Sequence, residues 1–261
     1  MELRCEESAH ASGSPLSEDV DSEVVTIVSF EDHSADRSQT SPRCLDFRLT
    51  ASKCGTGGRL WSSAHQLASF VFAHRQILAG KHVLELGCGL GLPSLVASHF
   101  AAKVVASDSD HTVVKNIGRV ALQIGGAAAD TLSARELNFS TASGMSAAGL
   151  RCWDVVLFAD CVYSHEMGAA LPHAISALLK PDGMALAALP PSGRVGLDDF
   201  WAEIPRAGLS WQKPKCWPEQ NEDVGRYTEK RGQLYMLWKD DQEEQEVESP
   251  AESVTSLFHD L

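Results

Sequence analysis

The chain has 261 residues, 44% of them apolar, and carries a formal net charge of −13 at pH 7. This length is sufficient for one α/β domain with a full core and additional tails. The acidic balance argues against a general binder of nucleic acid or of anionic membranes, and it allows attraction to basic partners such as lysine-rich proteins. Solubility alone is the simpler explanation of the charge.

The cysteines, the histidines and the apolar runs bear on metals and on the cellular compartment. Seven cysteines are scattered along the chain and none belongs to a Cys-x-x-Cys pair, which predicts reduced thiols and no zinc site. The ten histidines show no metal-ligand spacing, so we expect no metal. The N-terminus lacks the apolar segment of a secretory signal, and no apolar run is long enough to span a bilayer. We therefore expect a cytoplasmic location, with the nucleus as a second candidate.

Composition divides the chain into a disordered acidic N-terminus, an N-terminal extension, a core domain and an acidic tail, which are predicted to cover residues 1–22, 23–58, 59–239 and 240–261. The extension contains one predicted strand at residues 24–28. An alternating pattern predicts an edge strand at residues 45–49.

Helices and strands alternate through the core domain. Apolar periodicity predicts helices over residues 63–78, 92–100, 112–123, 167–179 and 198–206. Apolar runs predict strands over residues 82–86, 103–106, 130–137, 154–159, 184–189, 209–213 and 234–238. Residues 140–149 are predicted to be a loop and residues 180–183 a turn. This alternation indicates an α/β fold with a parallel sheet covered on both faces.

The chain is organised around a strand, a glycine-rich turn and the first turn of a helix between residues 82 and 96. Gly87, Gly89 and Gly91 permit backbone angles that residues with a Cβ avoid, and they allow a ligand to approach the main chain. Pro93 follows early in the predicted helix, where its missing N–H costs little.

The spacing of these glycines differs from that of a dinucleotide fingerprint. Gly-x-Gly-x-x-Gly would require glycine at Leu92, whereas this chain has Gly-x-Gly-x-Gly with Glu85 two residues before it. A carboxylate at that position opposes a pyrophosphate and suits a ligand with an ammonium group. S-adenosylmethionine (SAM) is such a ligand, since it joins an amino-acid end to a sulfonium and an adenosine. The pattern therefore favours SAM over NAD.

Ligands of parallel α/β sheets bind outside the carboxyl ends of the strands. Asp108 follows the second core strand, and its carboxylate can accept both hydroxyl protons of a ribose. Its alternative role is to cap the next helix, which Ser109 or Asp110 could do equally well. Phe139 is expected to stack on an adenine whose edge Asn138 bonds, although Phe139 could instead seal the core.

Asp160 and Tyr163 leave the fourth core strand and are expected to face the reacting methyl group. Tyr163 as plain packing is the competing interpretation. Trp61 lies beside a glycine loop that could fold over the ligand, and its alternative is a core position. Cys161 as a nucleophile is disfavoured, since no partner histidine is indicated.

At these residues the chain resembles the SAM-dependent protein lysine methyltransferases of methyltransferase family 16, the seven-β-strand class that includes the methyltransferase-like 21 group. The resemblance extends from about residue 57 to residue 238 and is carried by Leu60-Trp61-Ser62-Ser63-Ala64, Val83-Leu84-Glu85-Leu86-Gly87-Cys88-Gly89-Leu90-Gly91-Leu92, Ser107-Asp108, Glu136-Leu137-Asn138-Phe139-Ser140, the segment from Asp154 to Tyr163, and Arg194 with Phe200. Two positions depart from the family's motifs, because Ser62 replaces its Asp and Phe139 replaces its Trp.

The resemblance implies a Rossmann-like sheet of seven mostly parallel strands with helices on both faces and SAM as the cofactor. It also implies methylation of lysine side chains in a non-histone protein by a monomeric chain, with a basic or lysine-bearing protein as partner. Asp160 and Tyr163 would line the acceptor channel. The cofactor-binding residues predicted from the resemblance and from the motifs are Trp61, Glu85, Gly87, Gly89, Gly91, Asp108, Asn138, Phe139 and Ala159.

Three alternative functions stay open on the sequence. The methyl acceptor could be a small molecule, or an arginine or histidine side chain. The chain could also be a non-catalytic interaction module that keeps the fold. An NAD-linked oxidoreductase is disfavoured by Leu92 and Glu85.

Overall fold

The computed structural model describes residues 3–7, 25–32, 44–50, 55–124, 126–215 and 232–240. Most of the predicted N-terminal disordered segment and all of the acidic tail beyond Asp240 lie outside the described residues. No helix within the described ranges is long and apolar enough to cross a membrane.

A small antiparallel sheet precedes the core domain, and its three strands lie in chain order: β1 (Leu3–Glu7), β2 (Val25–Glu31) and β3 (Cys44–Thr50). The predicted N-terminal extension supplies β2 and β3. Side chains on β3 alternate as predicted, since Leu45, Phe47 and Leu49 are buried. The prediction of disorder across residues 1–22 is wrong for β1, whose backbone pairs with β2. Hydrogen bonding to a neighbouring strand can order a polar segment that its composition alone would leave unfolded.

The core sheet has seven strands in the order β6-β5-β4-β7-β8-β10-β9. They are β4 (His82–Leu86), β5 (Lys103–Asp108), β6 (Leu132–Glu136), β7 (Trp153–Ala159), β8 (Leu179–Leu189), β9 (Leu209–Gln212) and β10 (Gln233–Lys239). Five neighbouring strands are parallel, and β10 runs antiparallel to β8 and β9. The predicted Rossmann-like, mostly parallel seven-stranded sheet is confirmed.

Seven α-helices lie in the described ranges: α1 (Ser62–Ala73), α2 (Leu92–Ala97), α3 (His111–Ile124), α4 (Gly126–Thr131), α5 (Ala142–Ala148), α6 (His165–Leu178) and α7 (Leu197–Arg206). Two 3₁₀ turns, Gly55–Gly58 and Arg75–Leu78, precede and follow α1. The predicted helix over residues 63–78 is thus divided between α1 and the second turn.

Three predictions in the core domain are corrected by the structure. The strand predicted from residue 130 begins at Leu132, because the alanine-rich segment before it forms α4. The predicted loop at 140–149 contains α5, whose first turn is capped by the Thr141 hydroxyl accepting from Gly144 N–H at 3.1 Å. The predicted turn at 180–183 lies within β8 as a bulge, where the register with β7 shifts.

Alternate residues of the inner strands fill two separate apolar layers. On β7, Val155 and Leu157 belong to the layer under α1, α2, α3 and the small sheet, whereas Val156 and Phe158 belong to the layer under α5, α6 and α7. This alternation is the period-two pattern of a strand buried on both faces. The helices therefore cover both faces of the core sheet, as predicted.

The small sheet packs on the first of these layers. Phe30 on β2 lies 5.5 Å from Phe72 and 6.1 Å from His65, measured between ring centroids. Asp32 forms an ion pair with Arg75 at 2.6 Å, with side chains 18% and 8% exposed. The extension is thereby joined to α1 by apolar contacts and to the 3₁₀ turn after it by an ion pair.

Candidate functional site

The glycine turn leaves β4 with its backbone in the left-handed region at each glycine. The φ angles of Gly87, Gly89 and Gly91 are +60°, +52° and +74°, a conformation that costs other residues about 1–2 kcal/mol. A Cβ on Gly87 would lie 2.7 Å from Cys161 Sγ. The three glycines therefore have the backbone angles that the sequence analysis expected of them, and Gly87 has no room for a side chain.

Glu85 lies in β4 beneath the turn and is 1% exposed. Its Oε2 accepts hydrogen bonds from Ser94 N–H at 2.9 Å and from Ser94 Oγ–H at 2.5 Å, which fixes the first turn of α2. Burial raises the pKa of this carboxyl to about 8, and the bonds from Ser94 oppose the rise only partly. The carboxyl is consequently mostly protonated at pH 7 in the protein alone.

Asp108 ends β5 and braces the glycine turn from the neighbouring strand. Its Oδ2 accepts from Gly89 N–H at 3.1 Å, and its Oδ1 accepts from Asp110 N–H at 3.0 Å. Asp110 in turn accepts from Thr112 N–H at 2.7 Å at the start of α3. Because Asp110 makes the capping bond, Asp108 is not needed as the helix cap and faces the cavity beside the turn.

Asn138 and Phe139 follow β6 on the same side of the sheet. The side-chain oxygen of Asn138 accepts from Ser140 N–H at 3.0 Å and from its hydroxyl at 2.7 Å, which closes a local turn. Phe139 packs partly against the apolar layer under α5 and α6 and also lines the cavity. Its two predicted roles, sealing the core and presenting a ring to a ligand, are therefore compatible.

Asp160 leaves β7 with a left-handed backbone, at φ +54°. Its Oδ2 lies 2.5 Å from Arg194 Nη2, and the two side chains are 8% and 33% exposed. Tyr163 is 58% exposed at the cavity mouth. Partial burial and the charge of Asp108 raise the pKa of its phenol, so it stays protonated at neutral pH.

Trp61 precedes α1 and lies beside the same mouth. Its indole N–H donates to Thr56 O at 2.9 Å in the first 3₁₀ turn. The guanidinium carbons of Arg59 and Arg194 lie 4.3 Å and 5.2 Å from its ring centroid. A Cβ on Gly89 would meet the backbone oxygen of Gly57 at 3.3 Å, so this turn lies directly over the glycine loop.

One cavity of about 440 Å³ brings all the predicted site residues together. They are Trp61, Glu85, Gly87, Gly89, Gly91, Asp108, Asn138, Phe139, Ala159, Asp160 and Tyr163. Arg59 and Arg194 also line it and were not among the predicted site residues. Arg194 was noted only as part of a motif, and its distance along the chain from Asp160 gave no sign of their contact.

Cys161 lines the cavity as a buried wall residue. Its thiol donates to Leu86 O at 3.1 Å, and burial together with the nearby charges of Glu85 and Asp108 raises its pKa. A thiol held in this protonated form is a poor nucleophile, which agrees with the interpretation of the sequence that disfavours Cys161 as a nucleophile. In the part of the chain that the structure describes, no group of three or more His, Cys, Asp or Glu side chains could hold a metal ion.

Curated relatives match this chain over stretches of different length. The histone-arginine methyltransferase METTL23 of Xenopus laevis is 45% identical over 56 residues, which are 22% of this chain and 24% of the relative. The calmodulin-lysine N-methyltransferase of Arabidopsis thaliana is 30% identical over 158 residues, 58% of this chain and 50% of the relative. The chain thus spans between a quarter and a half of the length of these two relatives. The protein N-terminal and lysine N-methyltransferase EFM7 of Yarrowia lipolytica is 24% identical over 241 residues, 84% of each chain.

Solved structures share the fold at low identity. The magnesium protoporphyrin IX methyltransferase ChlM of Synechocystis, solved with bound SAM, superposes with a TM-score of 0.52 at 16% identity over 69% of this chain and 80% of its own. The CcbJ methyltransferase of Streptomyces caelestis gives a TM-score of 0.51 at 14% identity over 72% of this chain and all of its own. These likenesses establish the architecture.

The family model described as lysine methyltransferase matches residues 41–196. That range runs from the small N-terminal sheet to the loop after β8 and includes every predicted site residue. This chain belongs to the lysine methyltransferase family.

Proposed function

We propose that this protein is a SAM-dependent methyltransferase that modifies lysine side chains of a non-histone protein. The observation that carries the proposal is the single cavity that joins the glycine turn and Asp108 to Asp160 and Tyr163. Its volume of about 440 Å³ lies within the range of small-molecule and cofactor sites. Family membership and the SAM complex of a structural neighbour support the same cofactor.

The cofactor half of the site is built from the strand ends of β4, β5 and β6. Gly87, Gly89 and Gly91 leave the main chain open to a ligand, and Asp108 offers carboxylate oxygens suited to ribose hydroxyls. Glu85 lies under the turn, and the positive charge of a bound ammonium group would favour its ionised form. The remaining residues assigned to the cofactor are aromatic, amide or small: Trp61, Asn138, Phe139 and Ala159.

The acceptor half is formed by Asp160 and Tyr163. When bound, SAM supplies a methyl group on a sulfonium, which is already a good leaving group. The protein's own residues must align the acceptor nitrogen, exclude water and favour its unprotonated form, because a free lysine has a pKa of about 10.4. Asp160 holds the incoming ammonium or amine in this proposal, and Tyr163 confines it.

The expected partner is a basic or lysine-bearing protein, with no role for nucleic acid or membrane. The net charge of −13 favours encounter with a cationic surface. The curated relatives named for calmodulin-lysine and for N-terminal and lysine methylation support a protein substrate. The proposal includes a monomeric state and a location in the cytoplasm, with the nucleus as a second location.

The direct test is methyl incorporation from labelled SAM into a whole-cell lysate, followed by mass spectrometry of the modified residue. Wild type is expected to label lysine, and Asp160→Ala is expected to reduce incorporation about 100-fold through loss of acceptor alignment. Asp130→Ala serves as control, since Asp130 is exposed on α4 and lies outside the cavity. Equal incorporation by wild type and Asp160→Ala would remove Asp160 from the site.

Arginine is the second candidate acceptor. The 45% identity to a histone-arginine methyltransferase over 56 residues favours it locally. The same mass spectra decide between the two, because methylated arginine and methylated lysine fragment differently.

A further inference from the structure

Arg194 lies in the loop between β8 and α7 and extends its guanidinium back towards Asp160. Its Nη2 lies 2.5 Å from Asp160 Oδ2, and its Cζ lies 5.2 Å from the centre of the Trp61 ring. The carboxylate is 8% exposed and the arginine side chain 33%. The ion pair therefore closes the mouth of the cavity with its acidic member inside and its basic member towards solvent.

We propose that the place between Asp160 and Trp61 is the subsite for the cationic side chain of the methyl acceptor, and that Arg194 occupies it until the acceptor displaces it. This inference rests on the proposed function, since it takes Asp160 as an acceptor residue. A carboxylate beside an aromatic face is an environment that attracts alkyl cations. The guanidinium of Arg194 is such a cation, and it already lies beside both groups.

The two residues beside Arg194 in its loop are loosely packed. Gly193 has a φ of +83° with nothing within 4 Å of where its Cβ would be, and Val195 is 55% exposed. Gly196, by contrast, is held closely, because a Cβ there would lie 2.1 Å from Ser164 O. The arginine can leave the mouth while the start of α7 stays in place.

Because Arg194 occupies the subsite, every substrate that must displace it binds with lower affinity. A cation that enters must compete with one that is already tethered at the site, and an ion pair that is closed nine tenths of the time weakens such binding about 10-fold. A neutral side chain gains nothing from Asp160 that would offset the loss of its arginine partner. Arg194 is thus a specificity-determining residue that favours a well-docked cationic acceptor.

The test uses two small probes with the charged ends of the candidate acceptors, n-butylammonium chloride and n-propylguanidinium chloride. Each is titrated calorimetrically into the full chain at matched ionic strength, with and without saturating S-adenosylhomocysteine (SAH). Arg194→Ala is expected to bind at least one probe about 10-fold more tightly than wild type. The double variant Arg194→Ala/Asp160→Asn is expected to lose that gain.

Arg206→Ala is the matched control, since it removes an arginine from another ion pair, Arg206–Glu203 on α7, lies outside the cavity and leaves the Arg194–Asp160 pair in place. It is expected to bind the probes like wild type. If Arg194→Ala lowers the unfolding temperature, Arg194→Gln carries the same test with a side chain of similar length. The probe that binds more tightly identifies the acceptor class as lysine or arginine.

The proposal is overturned if Arg194→Ala binds neither probe, if it binds them as wild type does, or if the double variant retains the gain. SAM binding is measured separately on the same samples. A chain that binds no SAM but shows the probe binding expected of Arg194→Ala would refute methyl transfer and retain the cation subsite. If the chain binds SAM but Arg194→Ala shows no gain in probe binding, the cation subsite is refuted and methyl transfer is retained.

Discussion

Replacing Gly91 by alanine tests the close packing of the glycine turn. Gly91 has a φ of +74°, and a Cβ there would lie 2.5 Å from Cδ1 of Ile117 on α3. Ile117 is fully buried, so its side chain cannot move into solvent to relieve the contact. Left-handed backbone strain of about 1–2 kcal/mol and overpacking of about 1–3 kcal/mol act together. We expect a loss of about 2–5 kcal/mol in the free energy of unfolding.

Urea unfolding followed by circular dichroism measures this loss. Gly118→Ala is the control, because Gly118 follows Ile117 on α3 and nothing lies within 4 Å of a Cβ at that position. This substitution is expected to stabilise the protein by about 0.5–1 kcal/mol. Adding Ile117→Val to Gly91→Ala is expected to recover part of the loss by shortening the contacting side chain. A Gly91→Ala variant as stable as wild type would refute the packing described for the turn.

Three further predictions concern stability. His65 is buried and its pKa is lowered to about 4, so its folded form resists protonation; stability should fall by about 3 kcal/mol between pH 6.5 and 4 in wild type and less in His65→Phe, as followed by urea unfolding. Glu85 has a raised pKa of about 8, so stability should fall by about 4 kcal/mol as pH rises from 4.5 to 8, a slope that Glu85→Gln should remove in the same assay; an unchanged slope would contradict the burial described. Asp32→Asn should lower the free energy of unfolding by about 3 kcal/mol, because it removes the carboxylate that pairs with the buried Arg75 guanidinium. Asp46→Asn, at an exposed position, is the control.

The regular part of the fold was predictable because local pattern and burial agree there. β4, β5 and β7 are short apolar runs buried on both faces, and runs of this kind define strands without tertiary information. α5 was missed because its alanine, serine and glycine residues carry no apolar stripe. β1 was missed because it is ordered by pairing with β2, a contact remote in sequence.

The candidate site was predictable where residues follow strand ends. Asp108 and Asp160 could be assigned to one rim because parallel strands bring their carboxyl ends to the same edge of the sheet. The bond between Asp160 and Arg194 could not be predicted, since 34 positions separate them and no periodicity relates them. The two bonds from Ser94 to Glu85 likewise depend on how α2 docks beneath the turn.

Calorimetric titration of SAM, SAH and NAD into the full chain tests the central claim most directly. One SAM or one SAH is expected to bind per chain, NAD is expected not to bind, and Asp108→Ala is expected to weaken SAM about 10- to 100-fold by removing charged hydrogen bonds to the ribose. Binding of NAD without SAM, or equal SAM affinity in wild type and Asp108→Ala, would contradict the account.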